Sequence, residues 1–316
     1  MANPVLVEIT RGSLVESVHR GAIAIADAGG ALIFAMGDVE AVIYPRSSLK
    51  PIQALPLVES GAAISEEEVA LACASHSGEP IHTTRVAAWL ARIGLSEGDL
   101  ACGPHPPRYE PVWQEMVKRG EKPTRLHNNC SGKHTGFLTL AKHWEIATAG
   151  YEHHDHPVQR AVAKTLSELT GIKDFAWGID GCAAPNFALP LSAFARALAK
   201  LIGRSPRVVR AMIAHPELVA GTGRACTALM RTANGRAAVK TGAEGVYAAI
   251  IPERGLGIAV KIDDGAGRAA ETAIAAILEK LGIETPREII RAPITNTRNA
   301  VVGERRPAAA LQGLQI

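Results

Sequence analysis

No stretch of this 316-residue chain approaches the roughly 18 to 20 continuous apolar residues that span a membrane. Its first residues, Met1-Ala2-Asn3-Pro4-Val5, lack a basic segment followed by an apolar core and a cleavage site, so no secretory signal is expected. Cysteine is scarce. Cys73, Cys102, Cys130, Cys182 and Cys226 are odd in number and widely spread, which excludes a disulfide framework for a chain of this size. No charge of one sign dominates: 34 Lys+Arg stand against 31 Asp+Glu, which argues against a general polyanion binder. The one acid-free basic stretch, Arg196 to Arg210, alternates with apolar residues at helical spacing and reads as a solvated helix face. A cytoplasmic protein with no membrane or nucleic-acid partner is the expectation.

The chain is 47% hydrophobic and 21% charged, enough to bury a substantial core. Val5 to Ile9 and Ala22 to Ala26 read as strands, followed by a turn at Asp27-Ala28-Gly29-Gly30 and a further strand at Leu32 to Ala35. Helices are expected to dominate from about 48 to 233. Strands return at Ala237 to Lys240, Gly245 to Ile251 and Gly257 to Ile262, and an alanine-rich helix follows over Gly267 to Leu281. The stretch from about Arg291 shows less pattern. Strands at both ends with helices between predict an α+β fold, in which one antiparallel sheet is closed by N- and C-terminal segments. With no internal repeat and no long linker, residues 1–316 are expected to form a single domain with a helical middle region.

Ser47 and Lys50 stand three residues apart in Pro45-Arg46-Ser47-Ser48-Leu49-Lys50-Pro51, and Val239-Lys240-Thr241-Gly242 lies far downstream. An S-x-x-K paired with a distant K-T-G is how penicillin-recognising acyl-transfer enzymes are built. A serine hydroxyl is a poor nucleophile until a base takes its proton, and an unprotonated lysine one helical turn away can do that. Pro51 fits only the first turn of a helix, so Ser48 is the expected N-cap and Ser47, just before the helix, the expected nucleophile. Amides at the helix start would then hold its oxyanion.

Asn128-Asn129-Cys130-Ser131-Gly132-Lys133-His134-Thr135-Gly136 is the densest polar cluster and precedes a helical run. It does not match the phosphate-loop spacing. Cys182 lies in Asp180-Gly181-Cys182-Ala183-Ala184-Pro185, a tight loop after a short strand. Two readings of the cysteines stand: small buried hydrophobes, or Cys130 and Cys182 as soft ligands for zinc, which sequence spacing alone does not show. Ser75-His76-Ser77-Gly78-Glu79-Pro80 is either a second serine facing the site or an ordinary helix end. In His153-His154-Asp155-His156-Pro157 a cap by Asp155, with Pro157 in the first turn, explains the cluster without a site role.

Arg46-Ser47-Ser48-Leu49-Lys50-Pro51, Cys73-Ala74-Ser75-His76-Ser77, Asn129-Cys130-Ser131-Gly132-Lys133-His134, Asp180-Gly181-Cys182 and Gly242-Ala243-Glu244-Gly245 stand in the order seen in rhizobial-type (class 3) L-asparaginases. The chain resembles that family from its first strands to somewhat beyond Asp263-Asp264-Gly265. The resemblance implies a fold like that of serine β-lactamases and glutaminases, and hydrolysis of L-asparagine to L-aspartate and ammonia. It implies two serine–lysine pairs, Ser47 with Lys50 and Ser75 with Lys240, and a zinc ion held by Cys130, Lys133 and Cys182. Arg46, Asn129, His134 and Asp180 are the candidate substrate contacts. A homodimer is the family-based expectation. The alternatives are a glutaminase, a cytoplasmic β-lactamase-like esterase, or, from another class, a catalytically silent zinc or amino-acid binding protein.

Overall fold

The computed structural model describes residues 2–316. The chain forms two compact units, one of residues up to 48, 189–204 and 228–316, the other of residues 49–188 and 205–227.

The first unit is built on an antiparallel sheet. Its strands are β1 (Val5–Arg11), β2 (Leu14–Asp27), β3 (Leu32–Met36), β4 (Ala238–Thr241), β5 (Val246–Ile251), β6 (Leu256–Ile262), β7 (Ala292–Thr295) and β8 (Val301–Pro307). They lie in the order β7-β8-β1-β2-β6-β5-β4, with β3 also paired to β2. The two ends of the chain therefore meet in one sheet, as the α+β reading expects: Val7 pairs Pro307, and Ile25 pairs Ile258. Ala22 to Ala26 are buried on both faces of the pleat, because small alanines alternate with isoleucines and covering elements pack on each side. The helices Leu191–Arg204 and Gly267–Lys280 both pack on the sheet. A Cβ at Gly257 would lie 2.3 Å from the Ala195 carbonyl and the Ala199 nitrogen, so only glycine admits the first helix this close.

Two parts of this sheet differ from the sequence expectation. β2 begins at Leu14 rather than Ala22, because its first half interleaves Glu16, Ser17 and Arg20 with exposed Leu14, Val15 and Val18 and carries little apolar alternation. The weakly patterned stretch after Arg291 forms β7 and β8. These strands are half-exposed, and β8 carries Glu304, Arg305 and Arg306; Glu304 pairs with Arg306 and with Arg291, the residue just before β7.

The second unit is helical, with a small hairpin of Trp177–Ile179 on Pro185–Phe187. The helix Ser131–His143 is its axis, buried from Ser131 to Ala141. It packs against the helix Glu66–Ala72, where a Cβ at Gly132 would lie 2.4 Å from the Leu71 carbonyl. That glycine of the polar cluster thus serves helix packing. The helix Pro157–Thr170 starts with Pro157 as expected, but its cap is His156, whose ring Nδ1 accepts from the Val158 amide, rather than Asp155. Among the described residues no helix is long and apolar enough to cross a membrane.

Candidate active site

The segment Arg46–Leu49 is a 3₁₀ turn whose first three residues belong to the first unit; the short helix Lys50–Gln53 that follows it in sequence, with Pro51 in its first turn, belongs to the second. Ser48 is not the cap. It is fully buried, and its Oγ donates to the Pro45 carbonyl at 2.5 Å, the same oxygen that takes its amide at 3.2 Å. A 3₁₀ turn lets the hydroxyl and amide bond back three residues, which outcompetes capping. Ser47 is half-buried and leaves its hydroxyl to other work. Arg46 before it has φ 54°, a left-handed conformation uncommon for a side-chain-bearing residue. Lys240, buried near the end of β4, donates from Nζ to the Thr241 carbonyl at 2.9 Å. The turn after it seats against the serine segment: a Cβ at Gly242 would meet the Pro45 carbonyl at 2.6 Å.

In the second unit Lys50 is buried, and its Nζ donates to the Ala74 carbonyl, to Ser75 Oγ at 3.0 Å and to Cys130 Sγ at 3.1 Å. The carbonyl can only accept, whereas the hydroxyl and thiol can also donate, so two of the three contacts can reverse when a proton moves. Ser75 belongs to a buried, pinned loop rather than a loose helix end. Its amide donates to the Val219 carbonyl at 2.9 Å, the His76 amide to the Asn129 carbonyl, and His76 Nε2 pairs with Ser131 Oγ at 2.9 Å. Because Ser131 Oγ donates to the Leu126 carbonyl, His76 supplies the N–H in that bond and stays neutral. Burial and the nearby His82 ring, stacked 4.7 Å away, hold His76 well below the usual imidazole range.

The thiols come next in the same chain of contacts. Cys130 Sγ also lies 2.9 Å from Asn129 Oδ1, and Lys133 Nζ donates to Cys182 Sγ at 3.1 Å. A hydrogen bond from Cys130 holds the Cys182 thiol well below its usual range despite burial, with Lys133 and His134 adding to it. The same bond, with burial, pushes Cys130 up. Burial alone would lower the Lys133 amine, but the charge on Cys182 and Cys130 outweighs it and raises the pKa. Asp180 adds in the same direction, and its Oδ1 accepts the Gly181 amide at 2.7 Å.

The L-asparaginase II family matches residues 7–307. The chain belongs to that family. It is therefore an amidohydrolase of a family that hydrolyses asparagine. No curated protein shows a significant match. Among solved structures the chain is similar to a putative β-lactamase from Bacteroides dorei, at 12% identity over 82% of this chain and 93% of that one, with a TM-score of 0.43. It is also similar to a β-lactamase from Mycobacterium bovis, at 15% identity over 82% and 94%, with a TM-score of 0.42.

Set in this family, the second unit gathers Lys50, Ser75, Asn129, Cys130, Lys133, His134, Asp180 and Cys182, and the first holds Arg46, Ser47 and Lys240. Among the described residues no group of three His, Cys, Asp or Glu side chains is placed to hold a metal. Lysine lies outside that set, and here it completes one: two soft sulfurs and an amine converge, beside the buried His134 Nε2, which has no hydrogen bond of ordinary geometry. The donor set fits zinc. Tyr151 is a residue the sequence does not announce. Its hydroxyl accepts the Ala101 amide at 2.8 Å and pairs with His134 Nδ1 at 2.6 Å, which fixes the orientation of the His134 ring.

Proposed function

We propose that the protein hydrolyses L-asparagine through an acyl-enzyme on Ser47, with Lys50 as general base. The observation that carries this reading is the commitment of Ser48 to the Pro45 carbonyl, which leaves Ser47 as the available hydroxyl of the S-x-x-K motif. Ser47 Oγ bonds to the side-chain amide carbon as its proton passes to the Lys50 amine. The C–N bond then breaks, the nitrogen takes that proton, and ammonia leaves. Water adds to the ester, gives a proton to the lysine, and releases aspartate with the serine restored. Ser75, 3.0 Å from Lys50 Nζ, relays the proton, and Lys240 is its second lysine partner by family resemblance. The Ser48 amide is already given to Pro45, so the oxyanion takes other donors.

Cys130, Cys182 and Lys133 are the residues that would hold a zinc ion. Bound there, the ion supplies a fixed positive charge that keeps both thiols deprotonated and the lysine neutral. The family expectation of a homodimer and a cytoplasmic location goes with this reading, tested by sedimentation and by cell fractionation.

The deciding experiment measures ammonia release from asparagine and glutamine beside turnover of a chromogenic β-lactam and an ester. It is paired with rapid quenching and mass spectrometry of the Ser47 peptide. Asparagine turnover with an aspartyl adduct on Ser47 supports the reading. Preference for glutamine or the β-lactam, or an adduct on Ser75 or Ser48, overturns it.

A further inference from the structure

Two side-chain-bearing residues of the first unit share an uncommon backbone conformation and face each other. Arg46 has φ 54° and Glu244 has φ 57°. Arg46 Nη1 lies 3.8 Å from Glu244 Oε1, within ion-pair range but beyond a hydrogen bond. Each left-handed residue costs on the order of 1–3 kcal/mol, and such strain persists where the surrounding structure over-determines it, most often at ligand clamps.

Here the surroundings do over-determine it. Lys261 Nζ donates to the Glu244 carbonyl at 2.7 Å, and the Ile262 amide donates to the Gly245 carbonyl at 2.9 Å. Gly245, at φ 68°, leaves no room for a side chain: a Cβ there would lie 2.8 Å from Ile262 Cβ and 3.0 Å from the Ile262 carbonyl. The turn is thus fixed while the Glu244 side chain is 70% exposed. The ion pair is long and exposed at its Glu244 end, so it contributes only about 0–1 kcal/mol and leaves the Glu244 carboxylate open to a second cation.

We propose that Arg46 and Glu244 form a split clamp for a zwitterion, Arg46 taking the α-carboxylate and Glu244 the α-ammonium of an amino-acid amide, with Glu244 the specificity-determining residue. Arg46 offers a planar fork matched to a carboxylate, and Glu244 offers only acceptors, matched to an ammonium. Ser47 follows Arg46 directly, with about 3.8 Å between successive Cα atoms. Asparagine has two bonds from its α-carbon to its amide carbon, so its charged groups must be read close to the nucleophile. Asparagine pays out this short spacing, and the extra methylene of glutamine displaces its amide from it.

The proposal rests on the acyl-enzyme reading for its kinetics, and the test separates the two. Wild type, Glu244→Gln and Glu244→Asp are assayed on L-asparagine and on succinamic acid, which lacks the α-amino group. Circular dichroism and melting confirm the fold. Glu244→Gln is expected to lower kcat/KM for asparagine about tenfold or more, chiefly through KM, and to leave succinamic acid unchanged; Glu244→Asp recovers part of the loss. Equal effects on both substrates, or none on asparagine, overturn the clamp.

Calorimetric binding of L-aspartate and succinate to wild type and Glu244→Gln is measured in parallel. Aspartate preference that Glu244→Gln abolishes, without asparagine turnover, keeps the clamp and sinks the acyl-enzyme reading. Equal binding of the two ligands, or binding of neither, overturns the clamp.

Discussion

Lys50 Nζ lies 3.0 Å from Ser75 Oγ, so the lysine of the S-x-x-K motif is held by a serine 25 residues further on. The Cys73 to Ser77 loop that carries this serine is buried, and its Cys73, Ala74, Ser75 and His76 amides are all hydrogen-bonded. A base that must accept and return a proton within one turnover gains from a second hydroxyl at fixed distance. Lys50→Arg is expected to lower kcat about 10²–10⁴-fold, because arginine stays charged and cannot accept the proton. Ser75→Ala should fall between wild type and Lys50→Arg. Steady-state kinetics with melting controls check both, and near-normal kcat in Lys50→Arg would remove it as the base.

The two adjacent serines separate cleanly. Ser47→Ala is expected to abolish turnover, by about 10³-fold or more, with the melting temperature unchanged, since the side chain is small and only half-buried. Ser48→Ala should do the reverse. It removes the buried bond to the Pro45 carbonyl, costs about 1 kcal/mol of stability, and leaves most of kcat. Activity retained in Ser47→Ala and lost in Ser48→Ala would exchange their roles.

Much of this was legible in the residues because the informative patterns are local. The strands Ala22 to Ala26 and Gly257 to Ile262 are nearly continuous apolar runs, and both sit at the doubly covered centre of the sheet. The edge strand Ala292–Thr295 and its neighbour Val301–Pro307 were not legible, since the first is only four residues with a proline and the second carries Glu304, Arg305 and Arg306 where apolar alternation would be expected. At the site, residue types and motif order point to Ser47, Lys50, Cys130, Lys133 and Cys182. The role of Tyr151 depends on a contact between distant segments that no spacing reveals. The N-cap at Ser48 failed for a definite reason: a 3₁₀ entry to the helix gives the hydroxyl a carbonyl three residues back.

The metal prediction follows from the convergence of Cys130, Lys133 and Cys182. Purified wild type is expected to carry about one zinc ion per chain, and Cys182→Ser to lose it. Ser47 supplies the nucleophile, so the ion need not generate hydroxide, and its removal should raise KM more than it lowers kcat. Elemental analysis beside kinetics of both proteins checks this. A folded, metal-free Cys182→Ser with no kcat at saturating asparagine would give the ion a direct part in the chemistry.

Acid should destabilise the protein in a window set by its buried imidazoles. Burial holds His76 well below its usual range, and burial lowers His82 too, its ring spanning the Glu79 amide and the Glu217 carbonyl as a neutral group. His134 and His127 are lowered in the same direction, again first by burial. In the unfolded chain each takes up a proton near pH 6.5, while the folded form stays neutral. Below that pH the unfolded state binds more protons, so stability falls as pH falls, by up to about 1.4 kcal/mol per pH unit for each of the buried His76, His82 and His134, and by less for the half-buried, solvent-screened His127. The lowered carboxylates Glu67, Glu79 and Asp264 act in the same direction, but only as pH falls through and below the ordinary carboxylate range. The interval from about pH 6.5 to 5 therefore belongs mainly to the histidines. Urea unfolding across that interval should show a steep loss, and His76→Gln, which keeps a donor and an acceptor without the titration, should show a shallower one. An unchanged slope in a folded His76→Gln would mean that His76 takes up its proton in the native state as readily as in the unfolded chain.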